Sequence, residues 1–314
     1  MTHTLSNQKD AVAAALWVAS TSLTLTSAGV PESIRACSAF RNERSLTTKE
    51  ALDALCVLLT EKNPALGLRV FYACGGLSLI IPTIDSLIKL SQEPNRRHKD
   101  VWEHTLAVIA GVPNSLNLRL AALLHDIGKP DTFKLIEGKG PTFYNHPIVG
   151  ARITEAVLRD AKVSQSLIDD VSWLVAHHLR PAEHSSEWSD SAVRRFVKEC
   201  GPRASDLMIL SRSDLTTRNP AKIRAAHKNA DALLAKMERV IAEDAMPPLL
   251  KKGFGNWLID KWNLSGRDIG TVKNQIEQLV ETGDLPRSAE FDVYESAVEK
   301  AIRSLCDEVQ ICKC

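Results

Sequence analysis

No excess of charge marks this chain: 39 Lys and Arg stand against 38 Asp and Glu, a formal net charge of +1. That excludes the uniformly basic surface of a general nucleic-acid coat while leaving room for local basic patches. A disulfide framework is absent too. The seven cysteines (37, 56, 74, 200, 306, 312, 314) are odd in number and include no CxxC spacing, so reduced cytosolic thiols are expected, with Cys312-Lys313-Cys314 as a frayed tail. No run of apolar residues is clean enough to span a bilayer. Residues 11–30, AVAAALWVASTSLTLTSAGV, are uncharged but rich in Ser and Thr, and Lys9 before them is cancelled by Asp10. A buried helix followed by a polar turn, and a cytoplasmic location with no membrane partner, are the expectation. Strand-type alternation, internal repeats and low-complexity tracts are also missing.

Helical periodicity is what the chain has instead. KEALDALCVLL, GLRVFYACGGLSLII, VWEHTLAVIAGV, GARITEAVLRDA, SLIDDVSWLVAHHL, SDSAVRRFVKEC and NADALLAKMERVIAE all place apolar residues at i, i+3 and i+4. Thr48, Ser189 and Ser265 sign helix starts, and Gly67, Gly111, Gly201 and Gly283 sign stops. The fold class is all-α. Three zones are expected: an N-terminal helical region (1–95) closed by the polar stretch SQEPNRRHK, a central zone (96–238), and a smaller C-terminal helical zone (239–314).

The chemistry gathers in the central zone. AALLHDIGKP, residues 121–130, carries His125 and Asp126 side by side on a buried helix. One backbone position thus offers an imidazole nitrogen and a carboxylate oxygen, a pairing suited to a divalent metal. Gly128 removes a side chain where a substrate could approach. Lys129, one turn beyond Asp126, could hold a phosphate. It lies past the apolar stretch, so its loss is expected to cost little stability. Further ligand types follow on apolar segments: His104 in DVWEHTLAVIA, His146 in FYNHPIVGARI with Pro147 suited to a first helical turn, His177 and His178 in VSWLVAHHLRP, and Asp214 in LMILSRSDLTTRNP. A site built between helices of a bundle fits this distribution. Residues 190–228 add a basic flank that includes Arg194, Arg195, Lys198, Arg203 and Arg212, suited to a polyanion. Arg218 and Asn219, just after the Asp214 turn, are candidates for phosphate or ribose contacts.

The HDIGK run resembles the signature of the HD superfamily of metal-dependent phosphohydrolases. The longer series RRHKDVWEHTLAVIA, LRLAALLHDIGKP, GPTFYNHPIVGARI, LVAHHLRP, EWSDSAVRRFVKECGP and SRSDLTTRNPAKIRAA resembles the HD region of bacterial, actinobacterial-type, CCA-adding tRNA nucleotidyltransferases. LTTKEALDALCVLLTEKNPALGLRVFYACGGLSLIIP is similar to their neck and body helices, and WNLSGRDIGTVKNQIEQLVETGDLP to their tail. The resemblance implies a helical HD bundle flanked by N- and C-terminal helical layers. It implies one metal site from His104, His125, Asp126 and Asp214, with Asp126 bridging to a second ion held with His146 and His178. His178 closes the family's LVxxH pattern, which leaves His177 pointing away or supporting. Manganese, magnesium, nickel, cobalt or iron, as one or two ions, fits such ligands. Asp126 and Lys129 would act in catalysis, and Lys129, Arg218 and Asn219 on substrate.

One part of that resemblance is missing. Those enzymes begin with a nucleotidyltransferase head whose carboxylate pair follows a Gly-Ser turn, and an arginine-rich first neck helix. This sequence contains no Gly-Ser followed by Asp-x-Asp, and residues 11–33 contain no Arg or Lys. Nucleotide addition is therefore expected to be absent, since two-metal phosphoryl transfer needs carboxylates to hold its ions. HD-GYP phosphodiesterases are set aside because HLRPAEHSSEW, without GYP, follows His177; alarmone hydrolases, because Gly128-Lys129 stands where they carry acids; and deoxynucleotide triphosphohydrolases, which favour His at the position of Lys129. The expected activity is 2′,3′-cyclic phosphodiesterase and phosphatase chemistry on RNA ends, tRNA among them, or on nucleotides. A non-catalytic subunit that docks tRNA or a separate nucleotidyltransferase is one alternative, and a hydrolase of a small cyclic nucleotide another. Oligomeric state stays open.

Overall fold

The computed structural model describes residues 5–23, 30–90, 100–137, 140–183, 188–215, 217 and 219–311. The polar stretch at 91–99, Arg218 and the Cys312-Lys313-Cys314 tail lie outside these residues. The protein is all-α, as its periodicity requires. Chain contacts divide it into two compact units, 1–237 and 238–314. No helix among the described residues is long and apolar enough to cross a membrane.

The first unit opens with α1 (Gln8–Ser20), α2 (Val30–Ser38), α3 (Thr48–Thr60), α4 (Pro64–Ala73), α5 (Gly76–Ile80) and α6 (Ile84–Lys89). The uncharged stretch forms α1, which buries Ala11, Val12, Ala15, Val18 and Ala19. Thr47 and Glu50 close a reciprocal capping box on α3, one residue before the sequence signal at Thr48. Gly67 does not stop a helix. It lies inside α4, where a Cβ would come within 2.6 Å of the Ala19 Cβ; the missing side chain lets α4 press onto α1. The helix break comes instead at Gly75, in the left-handed region at φ 83°.

The site-bearing helices follow: α7 (Val101–Gly111), α8 (Leu116–Leu124), a short α9 (Lys129–Thr132), α10 (His146–Asp160), α11 (Gln165–His177), α12 (Asp190–Cys200) and α13 (Ala204–Ser213). Asp100 caps α7 through Trp102 N and Glu103 N, and Ser189 caps α12 through Ala192 N. Between α9 and α10 lies an antiparallel hairpin, β1 (Lys134–Ile136) with β2 (Gly140–Thr142). Three-residue strands are too short to leave a period in the sequence.

α8 is the centre of this unit. Leu118, Leu120, Ala121, Ala122, Leu123 and Leu124 are all buried, so the helix is enclosed on every side. Arg119 ties it to the layer beneath by donating to the carbonyls of Leu59 and Glu61 at the end of α3, groups with no partner inside their own helix. α10 packs on α11, α11 on α8, and α13 on α7, α8 and α11.

α14 (Pro220–Ala245) leads into the second unit, which holds α15 (Phe254–Trp262), α16 (Arg267–Glu281) and α17 (Glu295–Ile311). Its own core includes Phe254, Leu258, Val272, Ile276, Tyr294 and Val298. The Tyr294 hydroxyl, buried there, donates to Pro286 O at 2.7 Å and accepts from Ala289 N at 2.8 Å.

Candidate metal centre

Helix ends build the site. His125 follows the last residue of α8 and His178 the last of α11, both still with right-handed helical backbone. His146 opens α10, with Pro147 in its first turn. In each of the three rings Nδ1 bonds the carbonyl three residues earlier: His125 to Ala122 O at 2.8 Å, His146 to Phe143 O at 2.9 Å, His178 to Val175 O at 2.7 Å. A carbonyl only accepts, so Nδ1 carries the proton and Nε2 faces inward, the arrangement that orients imidazoles toward a metal.

The inward atoms converge. His104 Nε2 lies 2.8 Å from Asp214 Oδ1 and 3.9 Å from Asp126 Oδ2. His125 Nε2 is 3.3 Å from His104 Nε2, 3.2 Å from Asp126 Oδ2 and 3.6 Å from Asp214 Oδ1. On the other side, His146 Nε2 is 3.3 Å from both Asp126 Oδ1 and His178 Nε2, and His178 Nε2 is 3.9 Å from Asp214 Oδ2. Two groups with potential ligand atoms within 4.8 Å emerge, His104–His125–Asp126 and Asp126–His146–His178, sharing Asp126. His177 takes no part: its ring stacks on Trp173 at 4.2 Å, with Nδ1 on Trp173 O.

The donor set suits a cation. His146 and His178 each spend Nδ1–H on a carbonyl, so in neutral rings two Nε2 lone pairs face each other at 3.3 Å, an arrangement that calls for positive charge nearby. Burial, joined by the adjacent His125, holds His178 down to about 4. Burial opposes the charged form of His125, but Asp126 and Asp214 outweigh it and push that ring up to about 10. Burial also works against both carboxylates. Even so, His125 and Lys129 hold Asp126 well below the usual range, and His125 and His104 do the same for Asp214. Two ionised carboxylates in a buried pocket with imidazole nitrogens around them fit one or two divalent ions.

Two expectations change on contact with the structure. Gly128 does not open a path for substrate: a Cβ there would stand 2.4 Å from His146 O and 2.5 Å from Gly150 N, so the glycine admits the start of α10. Lys129 is buried rather than projecting past its helix, with Nζ 2.6 Å from Asp126 Oδ2 and 5.5 Å from the centre of the Phe143 ring. Its removal would take the lysine ammonium from a buried carboxylate and leave it the imidazoles of His125 and His146. Asn219 has a local role at the start of α14, where its Oδ1 accepts from Ala221 N and Lys222 N. Part of the basic flank is already paired: Arg203 with Asp170, and Arg212 with Asp231.

The sequence did not reveal the cleft that opens beside the cluster. About 630 Å³ in volume, it is lined by Lys129 and His146 together with Phe143, Tyr144, Ile148 and Leu179. Its one signal was aromatic density in PTFYNHP, next to a histidine.

Comparison with known proteins agrees with this geometry. Residues 101–219 match the family described as HD domain. The chain is 31% identical over 207 residues to the CC-adding tRNA nucleotidyltransferase of Thermus thermophilus, covering 63% of this chain and 45% of that protein. It is 32% identical over 214 residues to the A-adding tRNA nucleotidyltransferase of Deinococcus radiodurans, covering 64% and 47%. A multifunctional CCA protein of Pseudomonas syringae is 24% identical over 260 residues, covering 79% and 60%. The chain thus spans about half the length of the first two relatives. Residues 101–219 thus match the HD domain family, in a chain whose similarity to tRNA nucleotidyltransferases runs over 207 and 214 residues, longer than that domain.

Proposed function

We propose that this chain is a metal-dependent phosphohydrolase of the 2′,3′-cyclic phosphodiesterase and phosphatase type, acting on RNA ends or nucleotides. The observation that carries the reading is the convergence of four imidazole Nε2 atoms on Asp126 and Asp214 within one buried cluster. A scaffold protein has no need of such an arrangement, and burying it without a compensating cation is unfavourable.

His104, His125, Asp126 and Asp214 would hold one ion; Asp126, His146 and His178 a second. When bound, such ions acidify a water to a nucleophile at neutral pH and stabilise charge on phosphoryl oxygens. The protein's own contribution is orientation. Carbonyl anchors fix three rings, and the enclosed α8 fixes Asp126. Lys129 Nζ, 2.6 Å from Asp126 at the inner end of the cleft, is placed to turn its ammonium toward an entering phosphate. One water adds across one P–O ester bond of the cyclic phosphate, leaving a phosphomonoester.

Nucleotide addition is not part of this reading, since these 314 residues contain no Gly-Ser turn followed by an Asp-x-Asp pair. Similarity that extends beyond residues 101–219 favours an RNA partner. The test is a metal screen of the purified chain with 2′,3′-cyclic nucleotides, p-nitrophenyl phosphate esters and tRNA, run beside Asp126→Asn. Hydrolysis that follows metal loading and falls with metal content in the variant is expected. Full activity in Asp126→Asn would overturn the catalytic reading. Binding of tRNA without hydrolysis would replace it with the docking-subunit alternative.

A further inference from the structure

We infer that the cleft beside the metal cluster is a nucleobase pocket, with Tyr144 as its stacking platform. The substrate would then be a phosphate carried on a nucleoside rather than on a small alcohol. The inference rests on the hydrolase reading for its phosphate and on separate observations for its base.

Continuity comes first. Lys129 and His146 line the cleft, and the same side chains stand 2.6 and 3.3 Å from the Asp126 carboxylate. A phosphate seated at the cluster therefore directs the group esterified to it into this space. The size of the cleft, about 630 Å³, falls within the range of small-molecule sites.

Lining chemistry comes second. Tyr144 is 67% exposed, Ile148 48% and Leu179 36%, and all three face the same cleft. Single exposed apolar residues are ordinary, but a cluster of them at a site marks a ligand surface. Phe143 forms the inner wall, backed by the Phe133 ring at 5.8 Å. A flat, apolar-faced ligand with polar edges fits, and an unstacked nucleobase has that shape. Asn145 and Glu183 also line the cleft and offer polar groups to the base edge. Tyr144 precedes Asn145, whose backbone is left-handed at φ 65°. The turn sets Tyr144 just ahead of His146, on the side from which a base would enter.

The test compares adenosine 2′,3′-cyclic phosphate, a short RNA ending in a 2′,3′-cyclic phosphate, and glycerol 1,2-cyclic phosphate, which has no base. In Tyr144→Ala the KM for the adenosine substrate should rise about 10-fold with kcat little changed, the size of one lost base–aromatic stack. The kcat/KM ratio of adenosine over glycerol substrate should fall by the same factor, and Tyr144→Phe should restore it. A Tyr144 effect on either base-bearing substrate supports the pocket, and the one with the higher kcat/KM identifies RNA end or free nucleotide as the source. Binding of 3′-AMP and glycerol phosphate, measured by calorimetry, separates the two readings. If nothing is hydrolysed yet 3′-AMP binding weakens in Tyr144→Ala, the hydrolase reading falls and the pocket stands. If all substrates are hydrolysed with no preference for a base, or the wild type binds 3′-AMP no better than glycerol phosphate, the pocket is wrong.

Discussion

Replacing Gly128 with alanine leaves every candidate ligand in place and should still break half of the site. The added Cβ would stand 2.4 Å from His146 O, 2.5 Å from Gly150 N and 3.0 Å from Gly150 Cα, where ordinary contact begins at 3.4 Å. All three are backbone atoms, so no rotamer change relieves them, and the start of α10 must retreat by about 1 Å. His146 is the first residue of α10 and moves with it, away from Asp126 and His178. Metal–ligand distances tolerate about 0.2 Å, so the Asp126–His146–His178 group should lose its ion while His104, His125 and Asp126 keep theirs. Overpacking of this kind costs about 1–3 kcal/mol, which lowers Tm by roughly 2–12 °C for a unit of this size. A misplacement of about 1 Å at a reacting centre slows turnover by about 10²-fold. Gly150→Ala, across the same contact, meets Gly128 N and Val175 Cγ1 only at 3.3 Å and gains helix propensity of about 1 kcal/mol, so it should be nearly neutral. Metal per chain after reconstitution, with calorimetric melting, measures both variants. If Gly128→Ala melts with the wild type and binds the same number of ions, the close approach of this turn to α10 is not what places His146.

Other variants probe the same cluster. Lys129→Ala removes the partner of a buried carboxylate, 2.6 Å away; urea unfolding of the metal-free chain should show a loss of about 3–5 kcal/mol. Added divalent metal should shrink that loss by replacing the missing charge, and turnover should slow by about 10²-fold. His178→Ala should cost one ion per chain, whereas His177→Ala, whose ring stacks on Trp173, should keep the wild-type metal content; equal losses in the two would refute the assignment. Burial pushes the thiols of Cys37 up to about 12 and of Cys200 up to about 11. Since the thiolate is the reactive form and both side chains are buried, both should resist iodoacetamide at pH 8 in the folded chain and react only after unfolding, as read by peptide mass spectrometry.

Much of this fold was legible because helices bury stripes. The period of KEALDALCVLL or GARITEAVLRDA states which face meets a neighbour, and α3 and α10 form where those periods run. Glycines are less legible, because one residue type answers two physical demands. Gly201 and Gly283 end helices with positive φ. Gly67 and Gly128 are instead places where a side chain would strike another helix. Sequence position near the end of an apolar run looks the same in both cases; only the packing partner, Ala19 for one and His146 for the other, distinguishes them. The hairpin at 134–142 leaves no mark in the sequence because its strands are three residues each, too short for an alternating pattern to stand out.

The residues that converge in the candidate site were legible for a different reason: polar residues on apolar helices are expensive to bury unless they work together, and His104, His125, Asp126, His146, His178 and Asp214 all interrupt apolar segments. Their mutual arrangement was not legible. Nothing in the spacing says that three rings use Nδ1 on the carbonyl three residues back, although that bond turns a histidine near a helix end into an inward-facing Nε2 donor. Nor does the spacing say that Lys129 points back at Asp126. Two ionised carboxylates against one lysine leave the pocket short of positive charge, and His125 makes up the difference by holding a proton, its ring pushed up to about 10. A divalent ion held by Asp126, Asp214 and the surrounding imidazoles would supply positive charge at the same place. The ion pair between Lys129 and Asp126 supplies part of the charge this pocket needs. Comparing Lys129→Ala with and without added metal reads how far such an ion stands in for the lysine's charge beside Asp126.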